Sequence, residues 1–245
     1  MGIGKMKKHR EMLQHSVLRH HIPETLWFTH ARALRMLRSY STIFIKPNHG
    51  SGGNGIIRVN RVRNGYEVRC GLRRTRVGPA SLYKTIQSYL QPSGQYLVQR
   101  GLRLAQYKGS IFDARIYMQK PNKKWEISGM AARVAAPRRF VTNYHKGGHG
   151  VQLNRVLSGL FKDRKKVNDT LRKITTISHH MARTINKRHA IRELGVDLGI
   201  EKNGRIWIIE ANSKPGHMLF TQLPDKTPLH RIMKNKRLIR RRLMN

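Results

Sequence analysis

The stretch ELGVDLGIEKNGRIWIIEANSKPG, Glu193 to Gly216, reads as two strand-like runs joined at Asn203-Gly204. Asn-Gly is the strongest short hairpin signal, because both central positions of the favoured turn need a positive φ. A two-residue turn there pairs Lys202 with Arg205, and each further rung keeps the two residue numbers at a constant sum. Asp197 then stands directly opposite Glu210, their Cβ atoms about 5 Å apart, and Asn212 projects from the same face. At an effective dielectric of about 20, two bare carboxylates that close repel by roughly 3 kcal/mol. A cation therefore belongs beside them. A lysine or an arginine would serve; two acids and an amide oxygen also make the all-oxygen ligand set suited to Mg²⁺ that keeps waters and touches substrate phosphates.

A second stretch, IFIKPNHGSGGNGIIRV from Ile43 to Val59, joins two β-branched runs through a loop holding Gly50, Gly52, Gly53 and Gly55. Without a Cβ, such residues let backbone N–H groups wrap an anion, and Lys46 at the loop entrance adds a full positive charge. The loop does not match GxxxxGK[ST], and no helical run follows it, so it is neither a Walker loop nor a dinucleotide fingerprint. Taken alone it is equally a flexible hairpin. A phosphate cradle and a magnesium site in one chain reinforce each other.

The chain has 50 basic against 12 acidic residues, a formal charge of +38, and 38% apolar residues. That apolar content suffices for one domain or two packed lobes within 245 residues. The charge makes binding of nucleic acid, acidic polymers or anionic membranes a standing expectation. Cys70 is the only cysteine, which excludes an internal disulfide and any cysteine-based metal site. No apolar run has membrane-spanning length, and no signal peptide is evident.

Along the chain, Lys5–Arg19 reads as a basic helix with a partial stripe of Met12, Leu13, Val17 and Leu18, ended by Pro23. A second helix follows, capped by Thr29, and then the glycine hairpin. Asn64-Gly65 turns the sheet toward Tyr66 and Val68, Ser81–Leu90 is a short helix, and Gln95–Gln99 is a strand. The region of Pro92 and Gly94 marks a lobe boundary, giving a basic helix over 1–23, a smaller lobe over 24–98 and a larger lobe over 99–245. Ile111–Gln119 is a strand with Asp113, Arg115 and Tyr117 on one face, the first two reading as an ion pair, and Trp125–Val134 is its antiparallel partner. Residues 138–150 form a basic loop, and Lys165–His189 is a long helix packed into the core. His179 and His180 read as solvated or core histidines, and the His230–Arg242 tail as a solvated basic helix with a polyanion contact as the alternative.

These blocks resemble the ATP-grasp superfamily, and most closely its YheC/YheD group, described as endospore coat-associated. The resemblance runs through HIPET, IFIKPNHGSGGNGI, YLVQRGLRLA, FDARIYMQK, AARV with TNYHKGG, and ELGVDLGIEKNGRIWIIEANSKPGH. It implies an α+β fold in which two lobes clamp a nucleotide, here without the separate N-terminal domain of full-length relatives. It further implies that Lys46, Ser51, Gly52, Gly53 and Gly55 hold phosphates, with Lys5 or Lys8 as a second phosphate lysine. Gln99, Arg100, Gly101 and Leu102 would edge the adenine through backbone groups, and Asp197, Glu210 and Asn212 would carry one or two Mg²⁺, or Mn²⁺. Arg115, Arg133, Asn143, Gly147, Gly148 and Lys214 would surround the transferring phosphoryl group. The implied activity is an ATP-dependent carboxylate–amine or carboxylate–thiol ligase that works through an acylphosphate on an anionic acceptor, in a cytoplasmic or spore-associated chain. Two other readings stand beside it: a nucleotide-binding structural protein of the spore surface, and a polyanion-binding module.

Overall fold

The computed structural model describes residues 3–50, 52–137, 139–142 and 147–244. The chain divides into two compact units, one of Gly2–Met6 with Pro23–Arg103, the other of Lys7–Ile22 with Leu104–Asn245. The boundary expected at 98/99 thus falls between Arg103 and Leu104, because the strand through Gln99 continues its pairing to Arg100.

The first unit contains β1 (Thr25–Trp27), α2 (His30–Ser39), β2 (Thr42–Pro47), β3 (Ile57–Val62), β4 (Gly65–Cys70), β5 (Arg73–Val77), α3 (Leu82–Gln87) and β6 (Tyr96–Arg100), following α1 (Lys5–Leu13) in the chain. Its antiparallel sheet has the order β1-β6-β2-β3-β4-β5. Period-two alternation puts Ile43, Ile45, Ile57, Val59, Val68 and Val98 on one face, where Ala33, Met36 and Leu37 of α2 and Leu82 and Ile86 of α3 cover them. The Thr29 hydroxyl accepts from Arg32 N, capping α2 as expected. The turn between β3 and β4 lies one residue earlier than Asn64-Gly65: Val62 pairs with Gly65, so Arg63 and Asn64 form the turn and Gly65 opens the strand at φ 132°.

The second unit contains β7 (Gln106–Tyr107), β8 (Ser110–Gln119), β9 (Glu126–Val134), β10 (His149–Val151), α4 (Leu153–Phe161), α5 (Arg164–Asn186), β11 (Glu193–Ile200), β12 (Ile206–Asn212) and α6 (Thr227–Met244). Its antiparallel sheet runs β10-β9-β8-β11-β12. Phe112, Ala114, Ile116 and Met118 of β8 join Leu194, Val196, Leu198 and Ile200 of β11 on the face covered by α4 and α5. On the opposite face Tyr117 packs with Leu219, Phe220, Leu223 and Ile232.

Two terminal helices differ from expectation. The N-terminal helix stops at Leu13; Met12 and Leu18 are buried while Leu13 and Val17 are exposed, so the four residues do not form one stripe. The C-terminal helix is not merely solvated: Ile232 is fully buried, Asn235 donates to Ser128 Oγ at 3.0 Å, and Gln119 donates to Ile232 O. Among the described residues, no helix is long and apolar enough to cross a membrane.

Candidate functional site

In the second unit the residues of interest share the face of the sheet opposite the helices α4 and α5. One rung aligns Glu210 of β12, Asp197 of β11 and Arg115 of β8; the neighbouring rung sets Asp113 of β8 against Arg133 of β9. Asp113 and Arg115 were read as partners along their strand, but each pairs across the sheet instead. Arg133 grips Asp113 through two bonds, Nε to Oδ1 at 2.8 Å and Nη2 to Oδ2 at 2.7 Å. Arg115 Nη2 donates to Asp197 Oδ2 at 3.1 Å, and Arg133 Nη2 lies 2.9 Å from the same oxygen. Directly opposed Cβ atoms are closer than same-face neighbours along one strand, which favours these cross-strand pairs.

All four side chains are buried, Asp113 at 2%, Asp197 at 4%, Arg133 at 7% and Arg115 at 8% exposure. Burial lowers the Arg115 pKa, and Asp197 only partly offsets it. Burial acts the same way on Arg133, but Asp113 and Asp197 outweigh it and its pKa is raised. Both guanidiniums stay charged at neutral pH. Gly195 leaves space for this arrangement, since a Cβ there would meet Arg115 Nη1 at 2.8 Å. Thr142, not singled out from sequence, donates its hydroxyl to Asp113 Oδ2 at 2.5 Å. Its signal was its place just before the asparagine of the TNYHKGG block.

The pairing of Asp197 with Glu210 agrees with expectation, yet the route to it differs. Glu201 N donates to Arg205 O at 2.9 Å, so the turn spans Lys202, Asn203 and Gly204, with Gly204 at φ 90°. That register would set Asp197 against Ile209 and turn Glu210 toward the apolar face. A bulge between the Leu198–Ile208 and Asp197–Glu210 pairs leaves Ile209 as the extra residue and restores the opposition. Ile208 and Ala211, three apart, consequently both face the apolar core.

The charge that the acid pair demands is met by protein groups. Asp197 has both arginines, and Lys8, 5% exposed, donates its ammonium to the carbonyl of Ala211, between Glu210 and Asn212. A metal is thus not required to relieve repulsion. The donors nevertheless fit a hard cation in type. They are all oxygens on one face, and Asp197 Oδ1, although 2.6 Å from Arg115 Nε, is buried without a well-aligned hydrogen bond. Asn212 Oδ1 accepts from Lys214 N at 3.0 Å, and the Lys214 side chain is exposed. Among the described residues no group of three or more His, Cys, Asp or Glu side chains is placed to hold a metal ion. Gly147 takes φ 84°, and Gly148 leads into β10, whose Gly150 pairs with Arg133. Asn143, expected beside the transferring phosphoryl group, lies outside the described residues, as does Ser51 of the glycine loop.

In the first unit the loop between β2 and β3 holds Gly52, Gly53 and Gly55 at φ 74°, 71° and 67°. Left-handed backbone of this kind favours glycine, which carries no Cβ to keep backbone N–H groups away from an anion. A Cβ at Gly52 would meet nothing closer than 3.8 Å, so the space above it is open. Lys46 Nζ donates to Gln99 Oε1 at 2.5 Å, and Gln99 Nε2 in turn donates to Thr25 Oγ1 at 2.9 Å. Asn48 anchors the base of the loop: its side chain accepts from Met6 N at 3.0 Å and its carbonyl from Lys5 N at 3.0 Å. Lys5 Nζ donates to Gly50 O at 2.8 Å, so of the two candidate second lysines Lys5 touches the glycine loop and Lys8 the β12 carbonyl.

Around the residues expected to edge the adenine, two backbone N–H groups are engaged within the sheet. Gln99 lies in a central strand, paired with Thr25 on one side and Phe44 on the other. Arg100 N donates to Glu24 O and Gly101 N to Thr42 O, both at 2.9 Å or less. The sheet engages these two donors.

Two α+β units, each with an antiparallel sheet, a glycine loop in one and an acid–arginine face in the other, define the ATP-grasp class of protein. The comparisons agree. The chain belongs to the YheC/D-like ATP-grasp family, whose model matches residues 2–238. It is 28% identical over 194 residues to the endospore coat-associated protein YheD of Bacillus subtilis, covering 75% of this chain and 41% of that one. It is 26% identical over 214 residues to YheC of the same organism, covering 84% and 58%. The chain thus spans about half the length of these relatives. Among solved structures, D-cycloserine synthetase DcsG shares the fold at a TM-score of 0.60 and 10% identity, over 96% of this chain and 70% of that one.

Proposed function

We propose that the chain binds Mg·ATP and acts as an ATP-dependent carboxylate–amine or carboxylate–thiol ligase. The observation that carries this reading is the Asp197–Glu210 pair, set with Asn212 on the face that also presents Arg115 and Arg133. Asp197, Glu210 and Asn212 would hold the cation, which would neutralise phosphate charge. The N–H groups at Gly52, Gly53 and Gly55, with Lys46, would hold the phosphates. A substrate carboxylate oxygen attacks the γ-phosphorus as the bond to the β-phosphate bridging oxygen breaks, and ADP leaves. An amine or thiol then attacks the acyl carbon and expels inorganic phosphate. Arg115, Arg133, Lys214 and the Gly147-Gly148 segment would balance charge around the phosphoryl group, and Asn143 would hydrogen-bond to it; the protein's contribution is position and electrostatics. The net charge of +38 favours an anionic acceptor.

A second reading, nucleotide binding without turnover, is favoured by one observation: Asp197 is already neutralised by Arg115 and Arg133. ADP formation in the presence of Mg²⁺, with panels of carboxylic acids and of amines or thiols, separates the two. Acceptor-dependent ADP supports the ligase, and tight ATP binding with no ADP across the panels supports the second reading.

A further inference from the structure

The face of the first unit's sheet opposite α2 and α3 carries arginines at three successive positions of one rung: Arg58 pairs with Arg69, and Arg69 with Arg74. Like charges set directly opposite each other destabilise a sheet, and an acid lies among these arginines. Glu67, 5% exposed, lies 3.0 Å from Arg58 and 2.5 Å from Arg74, and it pairs across the strands with Arg76. Burial alone would raise its pKa, but the hydrogen bonds and charges of Arg74 and Arg58 hold it below the ordinary value. Glu67 thus bridges Arg58 and Arg74, and on β5 the side chains of Arg73, Arg74 and Arg76 are exposed.

Those three residues belong to β5, the last strand in the sheet order, whose outer side is a row of backbone donors and acceptors. We propose that this edge takes an acidic polypeptide segment as a further antiparallel or parallel strand, with its carboxylates beside Arg74 and Arg76. An extended polypeptide is the occupant that matches both features at once. Its backbone completes the ladder, and the strand spacing of about 4.8 Å sets alternate side chains level with the arginines. A nucleic acid satisfies the charge but not the ladder, and a second copy of β5 brings arginines against arginines. The proposal gives the ligase reading a docking place for its anionic acceptor and rests on that reading only for what happens after binding.

The test uses the full chain without ATP or Mg²⁺, in about 0.15 M salt so that distant charges are screened. The probe is a fluorescein-labelled peptide of about twelve residues alternating Glu and Thr, followed by anisotropy. Arg74→Gln/Arg76→Gln should weaken binding at least about tenfold, while Arg240→Gln/Arg241→Gln, an equal charge loss on exposed positions of α6, should leave it unchanged. The same peptide N-methylated at alternate residues, which removes ladder donors and keeps the charge, should also bind at least about tenfold more weakly. If the double variant on β5 melts below the working temperature, Arg76→Gln alone is read in its place. Equal loss in both double variants, undiminished binding of the methylated peptide, or an oligothymidylate that binds as tightly with the same dependence on Arg74 and Arg76 would each overturn the proposal. Because no nucleotide is present, failure here leaves the ligase reading untouched.

Discussion

Asp197 faces Glu210 because Ile209 is left over between them: the three-residue turn at Lys202–Gly204 puts the strands one residue out of step, and the bulge puts them back. Removing the extra residue should therefore preserve the pair. Deleting Ile209 leaves Ile208 opposite Leu198 and Glu210 opposite Asp197, so Mg²⁺-dependent ATP binding should survive within a few-fold. Inserting an alanine after Ile209 instead moves Glu210 off the rung of Asp197, opposite Val196 if the bulge persists and opposite Gly195 if the ladder becomes regular, and the Mg²⁺ effect should vanish. Loss of Mg²⁺ dependence in the deletion would show that the bulge itself shapes the site.

The two acids should behave differently when removed. From sequence, deleting either relieves repulsion and spares the fold. The structure changes this for Asp197, which answers two buried arginines. Asp197→Ala should cost about 3–5 kcal/mol, the penalty of stranding a buried charge. Glu210→Gln, at a half-buried position, should change denaturant stability by about 1 kcal/mol or less. Equal losses in urea titrations would place Glu210 in the structural network.

Lys46 is aimed by Gln99 rather than left to roam. Lys46→Ala should weaken ATP binding by about tenfold or more and adenosine hardly at all, and Gln99→Ala should give a smaller loss of the same kind. Equal effects on ATP and adenosine would remove both residues from phosphate contact.

His9 predicts an acid-sensitive N-terminal segment. Burial, aided by Arg10, lowers its pKa from 6.5 to about 4. The unfolded chain then binds the proton first as pH falls, so the stabilisation is complete above about pH 6.5 and is lost progressively toward pH 4. The shift corresponds to up to about 3 kcal/mol. Comparing unfolding free energies of wild type and His9→Gln between pH 7 and 4 should show a difference that shrinks on acidification; parallel curves would contradict it.

The acid pair was legible because β11 alternates strictly, with Leu194, Val196, Leu198 and Ile200 on one face and Asp197 on the other. Its correct reading nevertheless rested on two offsetting departures, a longer turn and a bulge, neither of which leaves a signature in single-sequence alternation. The network around it was less legible, because Asp113 and Arg115 adjoin along β8 but find partners on other strands. Strand β5 escaped notice for a related reason: three arginines in five residues leave no apolar alternation to detect. The C-terminal helix concealed Ile232 and Asn235 as buried residues within a strongly basic run. Backbone donors of Arg100 and Gly101 carry no side-chain mark that they are consumed by the sheet.

The proposed Mg·ATP binding draws on the glycine loop and Lys46 in one unit and on Glu210 in the other. Calorimetric titration of ATP into wild type and Glu210→Gln, with and without Mg²⁺, tests it most directly, in enough salt to suppress binding due to net charge and with tripolyphosphate as the control anion. Wild type should prefer ATP to tripolyphosphate, and Mg²⁺ should strengthen ATP binding only when Glu210 is present. ATP and tripolyphosphate binding alike, with no effect of the substitution, would contradict it.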